Sequence, residues 1–190
     1  HVENPFSVAL EGDGFFQIRT ESGELQYTRD GSFEISPVAN GNMLCTSDGN
    51  PVLDAYGNEI ILPSNRVATD LVVNQDGTLA FPDASGNPAV LTDANGRPVK
   101  FGIYQFNNPA GLSKEGGNNY SVTVASGAAV AENGNAAVKQ TKTHQYYTEA
   151  SNVDVANEMV NLIVAQRAYE MNSKAIQASD EMMQQANALR

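Results

Sequence analysis

A thiol with an imidazole is the least equipment that nucleophilic catalysis needs, and Cys45 with His144 is the one pairing the sequence offers. A reactive thiol sits in a partly exposed, electropositive setting. Leu44-Cys45 lies instead in an apolar-flanked run, the setting of a packing thiol. Gly12-Asp13-Gly14 opens like a dinucleotide fingerprint, but no third glycine follows, and strand formers stand where a phosphate site needs a helix N-terminus. Asp48-Gly49-Asn50 and Asp93-Ala94-Asn95-Gly96 carry oxygen ligands without the alternation and distal Glu of a calcium loop, so they read as turns. Asn119-Tyr120-Ser121 matches a glycosylation sequon, read here as coincidence because no secretory leader opens the chain. No Gly-x-Ser-x-Gly elbow, His-Glu-x-x-His pair or Walker loop is present. The expectation is no catalytic residue, no metal, no cofactor and no enzyme.

Composition narrows the class further. The 190 residues carry a net charge of −11, with Lys and Arg scattered, which argues against nucleic acid and anionic membrane surfaces as partners. A dispersed acidic surface reads as a solubility device. One cysteine excludes an intramolecular disulfide, and no apolar run is long enough to cross a bilayer.

The helix breakers divide the chain. All 16 Gly lie at or before Gly134 and all 8 Pro at or before Pro109. Before that boundary, turn signals recur at Asp13-Gly14, Asp30-Gly31, Asn40-Gly41, Asp48-Gly49, Gly57-Asn58, Asp76-Gly77, Gly86-Asn87 and Asn95-Gly96. Between them sit short β-branched and aromatic runs such as Phe15-Phe16-Gln17-Ile18 and Leu71-Val72-Val73. The fold class predicted is mainly β with one long C-terminal α-helix: a β-rich body over 1–147 and a coiled-coil-type helix over 148–190. An echo between residues 49–57 and 86–96 is read as two similar hairpins, since turn chemistry alone would produce it. The small, polar run 126–135 suits a mobile loop, and 138–147 reads as a last strand leading out of the body.

The helix should be capped by Ser151, with Asp154 three residues on. Within it Val155, Leu162, Tyr169, Ile176 and Met183 recur every seven residues, with Met159 beside them early and Ala168, Ala175, Met182 and Leu189 later. A stripe of this kind on a helix of roughly 55 Å faces another helix. The alternative is that it packs on the β body of its own chain. Glu158, Gln166, Arg167, Lys174 and Asp180 occupy the opposite face.

Several blocks carry a specific likeness. Residues 4–18 open with Asn4-Pro5-Phe6 and run through Gly12-Asp13-Gly14-Phe15-Phe16, and residues 27–33 contain Arg29-Asp30-Gly31. Residues 106–112 follow, then 151–163 with Asn152-Val153-Asp154, and 166–176 with Gln166-Arg167-Ala168-Tyr169. Together they resemble the flagellar hook and rod proteins of the hook-basal-body family. Asn172 to Ile176 and Asp180-Glu181-Met182 are nearer the distal-rod branch than the hook branch, while residues 52–60 are as similar to the proximal-rod branch.

The resemblance implies a structural subunit of the bacterial flagellar basal body in the cell envelope. It would sit outside the cytoplasm, exported without a cleaved signal peptide, and stack into a helical tube that carries torque from motor to hook. Its partners would be copies of itself, other rod and hook proteins and the rings around the rod, with no nucleic acid and no membrane insertion. Gly12, Gly14, Phe15, Phe16, Arg29, Gly31, Asn152, Arg167 and Tyr169 are the positions that match the family motif. The family's N-terminal helical segment is absent, so the chain is expected to be a fragment. Two other classes stay open at this point: an extracellular binding module on a helical stalk, and an enzyme using Cys45 with His144.

Overall fold

The computed structural model describes residues 1–83, 85–135, 137–150 and 154–188, and falls into two compact units, His1–Glu149 and Ala150–Arg190. In chain order the first contains β1 (Val8–Glu11), β2 (Phe15–Arg19), β3 (Leu25–Thr28), β4 (Glu34–Val38), β5 (Gly41–Cys45), β6 (Ile61–Leu62) and β7 (Val72–Val73). It continues with β8 (Leu79–Pro82), β9 (Pro88–Val90), β10 (Ile103–Gln105), β11 (Ser113–Gly116), β12 (Asn119–Ser121), β13 (Val130–Ala131) and β14 (Lys142–Gln145). These pair antiparallel into a six-stranded sheet ordered β11-β12-β3-β2-β10-β13, the sheets β4-β5-β6 and β7-β8-β9, and a β1-β14 ribbon. The fold class read from the sequence, mainly β with one long helix, is the one observed.

Strand alternation explains why two adjacent phenylalanines serve two cores. Phe16 and Ile18 are fully buried on one face of β2, among Phe33, Leu44, Val52 and Phe101. Phe16 meets Phe33 and Phe101 edge to face, with ring centroids 5.0 and 5.2 Å away. Phe15, on the other face, joins Tyr27, Phe106 and Leu112.

One turn recurs through the body, beginning at Thr20, Thr46, Asp54, Asn74, Asp83 and Asp93. The glycine three residues on donates to the first residue's carbonyl at 2.9–3.0 Å, and that residue's amide donates to the carbonyl four residues on. The six glycines have φ between 76° and 85°, which makes each loop a type I turn closed by a G1 bulge. The first side chain completes it: Asp54, Asp83 and Asp93 accept the amide four residues later at 2.8–3.0 Å, and Thr20 and Thr46 do so through their hydroxyls. This is why the acidic turns carry Asp at those positions.

The likeness between 49–57 and 86–96 goes beyond the turns. Leu44 donates to Ile60, Ile60 to Val52 and Val52 back to Leu44, a closed triangle of backbone bonds at 2.9–3.0 Å. Leu79, Val99 and Leu91 close a second triangle in the same sense at 2.7–2.9 Å. Each triangle is flanked by two of the recurrent turns, and the Arg97 guanidinium of one lies 4.1 Å over the Tyr56 ring of the other.

Two expectations are corrected. The run 126–135 is no free loop: β13 pairs with β10 inside it, and Ser126 and Glu132 are buried. The last strand is shorter than 138–147 and lies along β1 over Val8↔Gln145 to Glu11↔Lys142.

The second unit contains α1 (Val155–Ala188), a helix of 34 residues. Ser151 lies outside the described residues. Asp154 is the cap seen: its Oδ1 accepts the Ala156 amide at 3.0 Å, and its carbonyl accepts Glu158 N at 3.0 Å. Among the described residues no helix is long and apolar enough to cross a membrane.

The turns tie stability to pH. The Arg97 backbone amide is the main cause holding Asp93 below the usual carboxylate range, with the Arg97 guanidinium assisting. Burial pushes Asp76 up, but the Thr78 hydroxyl and amide and the Lys100 charge together bring it below that range. Depressed carboxylates stabilise the fold above their unfolded pKa and cease to as they protonate. The melting temperature of the body should hold from pH 7 to 5 and fall as pH drops below about 4. A rise on acidification would contradict this origin.

Candidate functional site

The chemistry candidates separate in space. Cys45 is buried, its Sγ directed at the Glu34 carbonyl 3.5 Å away, and burial, with the Glu34 charge, pushes its thiol pKa up. His144 Nε2 lies 2.7 Å from Glu11 Oε2, and this bond is the main cause holding Glu11 below its ordinary value. Thiol and imidazole therefore serve different partners. Among the described residues no three His, Cys, Asp or Glu converge on a metal position. A cleft of about 540 Å³ between the two triangles has Asp54, Glu59, Asp93 and Arg97 in its lining beside Ile61 and Leu91. Asp54 and Asp93 spend their oxygens there on turn amides and side chains.

The motif residues of the body converge on the β1-β2 junction. Gly12 has φ +142°, a conformation that favours glycine, and a Cβ on it would lie 2.9 Å from Thr141 Oγ1. Gly14 is needed for space: its Cβ would stand 2.5 Å from Ile103 Cγ2 and 2.6 Å from Thr141 Oγ1. Its amide donates to Thr141 Oγ1 at 3.1 Å, and that hydroxyl donates to Glu132 Oε1 at 2.6 Å. Glu132 also accepts from Thr141 N at 2.8 Å and Gln105 Nε2 at 2.7 Å. A Cβ on Gly31 would collide with the Val8 carbonyl, and Val8 N donates to Gly31 O at 2.9 Å, which holds the start of β1 against this glycine. Gly14 and Gly31, both read from sequence as turn formers, are instead sites of close strand approach.

Arg29 is the hub of this cluster. Its guanidinium donates to the carbonyls of Gly12 at 2.9 Å, Gly14 at 3.0 Å and Leu10 at 3.4 Å, and lies 5.6 Å over the Phe15 ring. One planar fork thus satisfies three converging carbonyls that a lysine could not span. Next to it, burial would raise Asp30, but the Ser32 amide and the Asn118 side chain hold it low.

The helix presents the other predicted residues. Val155, Met159, Leu162, Tyr169, Ile176 and Met183 are 59–78% exposed. Arg167 is exposed as well, and Asn152 lies outside the described residues. The seven-residue spacing did not bring out one feature: Met159, Val160, Leu162, Ile163 and Val164 are all apolar within six positions, so at 100° per residue they cover an arc of about 200°, with Glu158 and Asn161 on the remaining side. The spread of consecutive apolar residues was the signal available.

Residues 9–81 match the model of the flagellar hook protein FlgE/F/G D1 domain, and residues 144–189 that of the flagellar basal body rod FlgEFG protein C-terminal region. The chain is 40% identical to the flagellar basal-body rod protein FlgG of Borreliella burgdorferi and 38% to that of Buchnera aphidicola subsp. Acyrthosiphon pisum, over 96% of this chain and 64% of each relative. It is 36% identical to the flagellar hook-basal body complex protein FlhP of Bacillus subtilis, over 89% of this chain and 59% of that protein. The fold and the cluster thus define an axial flagellar type of β body with a terminal helix. The chain belongs to the flagellar FlgE/F/G rod family, and spans about 64% of the length of the FlgG relatives.

Two substitutions probe the cluster. Gly31→Ala should destabilise the body by on the order of 3 kcal/mol in urea melts, because backbone and not a flexible side chain must move. Glu132→Gln replaces an acceptor facing three donors by a group that carries its own hydrogens, and should cost about 1–3 kcal/mol. Wild-type stability in either variant would refute the packing described.

Proposed function

We propose that this chain is the larger part of a structural subunit of the bacterial flagellar rod, at the distal-rod position, and that it acts by packing and not by catalysis. The observation that carries the proposal is the helix: six large apolar seam residues are more than half exposed along 34 residues. Burying each contributes on the order of 1.5–3 kcal/mol, so a row of them favours association strongly. In the assembled rod the helices line the inner layer of a helical tube, and the β bodies face outward towards the surrounding rings. Copies of the chain and other rod and hook subunits cover the stripe, and the tube carries torque from motor to hook. The distal position is supported by the FlgG relatives. Passage through the flagellar export apparatus in an unfolded state suits a chain with a single cysteine.

Leu162→Asp, Tyr169→Asp and Ile176→Asp, each placed in the full-length protein, should abolish incorporation into rods and swimming. Each should leave the pH-dependent melting of the β body as it was, because these residues lie outside its core. Normal swimming in all three variants would falsify the seam.

A further inference from the structure

The residues at which the chain leaves the β body are held more firmly than a linker requires. Gln145, the last residue of β14, is pinned from three sides: its Nε2 donates to Pro5 O and Leu71 O at 2.7 Å each, and its Oε1 accepts Val73 N at 3.0 Å. Tyr146 then turns left-handed, with φ +66°. A bulky residue in that region is strained and persists only where its surroundings impose it. Here Tyr146 N donates to Ser7 O and its carbonyl accepts Val2 N, both at 2.8 Å. Three residues on, Glu149 Oε2 accepts from Arg29 Nε at 2.8 Å.

We infer that Arg29 and Tyr146 form an elbow that fixes the path of the chain over residues 146–149, where it leaves the β body. A half-exposed ion pair between two free side chains contributes little. Arg29 differs, because the carbonyls of Leu10, Gly12 and Gly14 already immobilise its guanidinium, so binding Glu149 orders only one side chain. The tyrosine sets the direction of the chain, and the arginine catches it three residues later. That such an elbow bears load rests on the rod assignment proposed above, whereas the elbow itself does not.

The test is made on the purified chain and needs no rod. Endoproteinase Glu-C cuts after accessible glutamates, and Glu21, exposed in the β2–β3 turn, serves as internal reference. Arg29→Gln should raise cleavage after Glu149 relative to Glu21 about tenfold, and Arg29→Lys, which keeps the charge without the fork, should give an intermediate ratio. General loosening of the body would raise both sites together and overturn the inference, as would an unchanged ratio in the lysine variant. Tyr146→Gly should melt higher than Tyr146→Ala, since only alanine retains the cost of positive φ; equal melting would remove the strained half of the elbow and overturn the proposal as stated. Failure of the seam variants would leave these ratios as predicted, so the two readings fail separately.

Discussion

Water is a poor neighbour for α1, and the functional account follows from that constraint. Helices gain most of their stability in proteins from packing an apolar face. Leu162, Tyr169 and Ile176 expose 59, 78 and 64% of their surfaces, and the apolar side chains over 159–164 spread across about 200° of the circumference, wider than a single seam. A single partner could cover one stripe, but so broad an arc is covered more fully by neighbours on two sides. The helical assembly proposed above would supply such neighbours, and the alanines at 165, 168, 175 and 178 permit close approach.

The β body answers to a different requirement, which is to hold its shape without disulfides. It does so by repetition of one cheap device, the Asp- or Thr-led turn closed by a left-handed glycine, and by two triangles of backbone bonds that seat Leu44, Val52 and Ile60, then Leu79, Leu91 and Val99. Around the β1-β2 junction the device changes. Gly14, Gly31 and Arg29 let strands distant in sequence approach more closely than side chains would allow, and the buried Glu132 satisfies the donors left there.

What could be read from the sequence divides along the same line. The helix was legible because a long stretch free of Gly and Pro is a local signal, and the turns at 48–49, 57–58, 76–77, 86–87 and 95–96 were legible for the same reason. The roles of Gly14 and Gly31 were not, since the atoms that exclude a Cβ belong to Thr141 and Val8, which no local pattern links to them. Residues 126–135 were misread because smallness and polarity suggested mobility, while pairing with β10 and the three donors on Glu132 are long-range facts. Asp154, read from sequence as the charge three residues after a Ser151 cap, itself accepts the Ala156 amide, a bond that sequence alone does not assign; Ser151 lies outside the described residues.

Amide hydrogen exchange across Val155–Ala188, compared between dilute chain and assembled rods, tests the central claim most directly. Burial of the stripe in assembly predicts protection that rises by orders of magnitude through residues 159–164 and continues along the seven-residue positions. Equally fast exchange in both states would contradict it, since the apolar row would then stay wet where it should be covered.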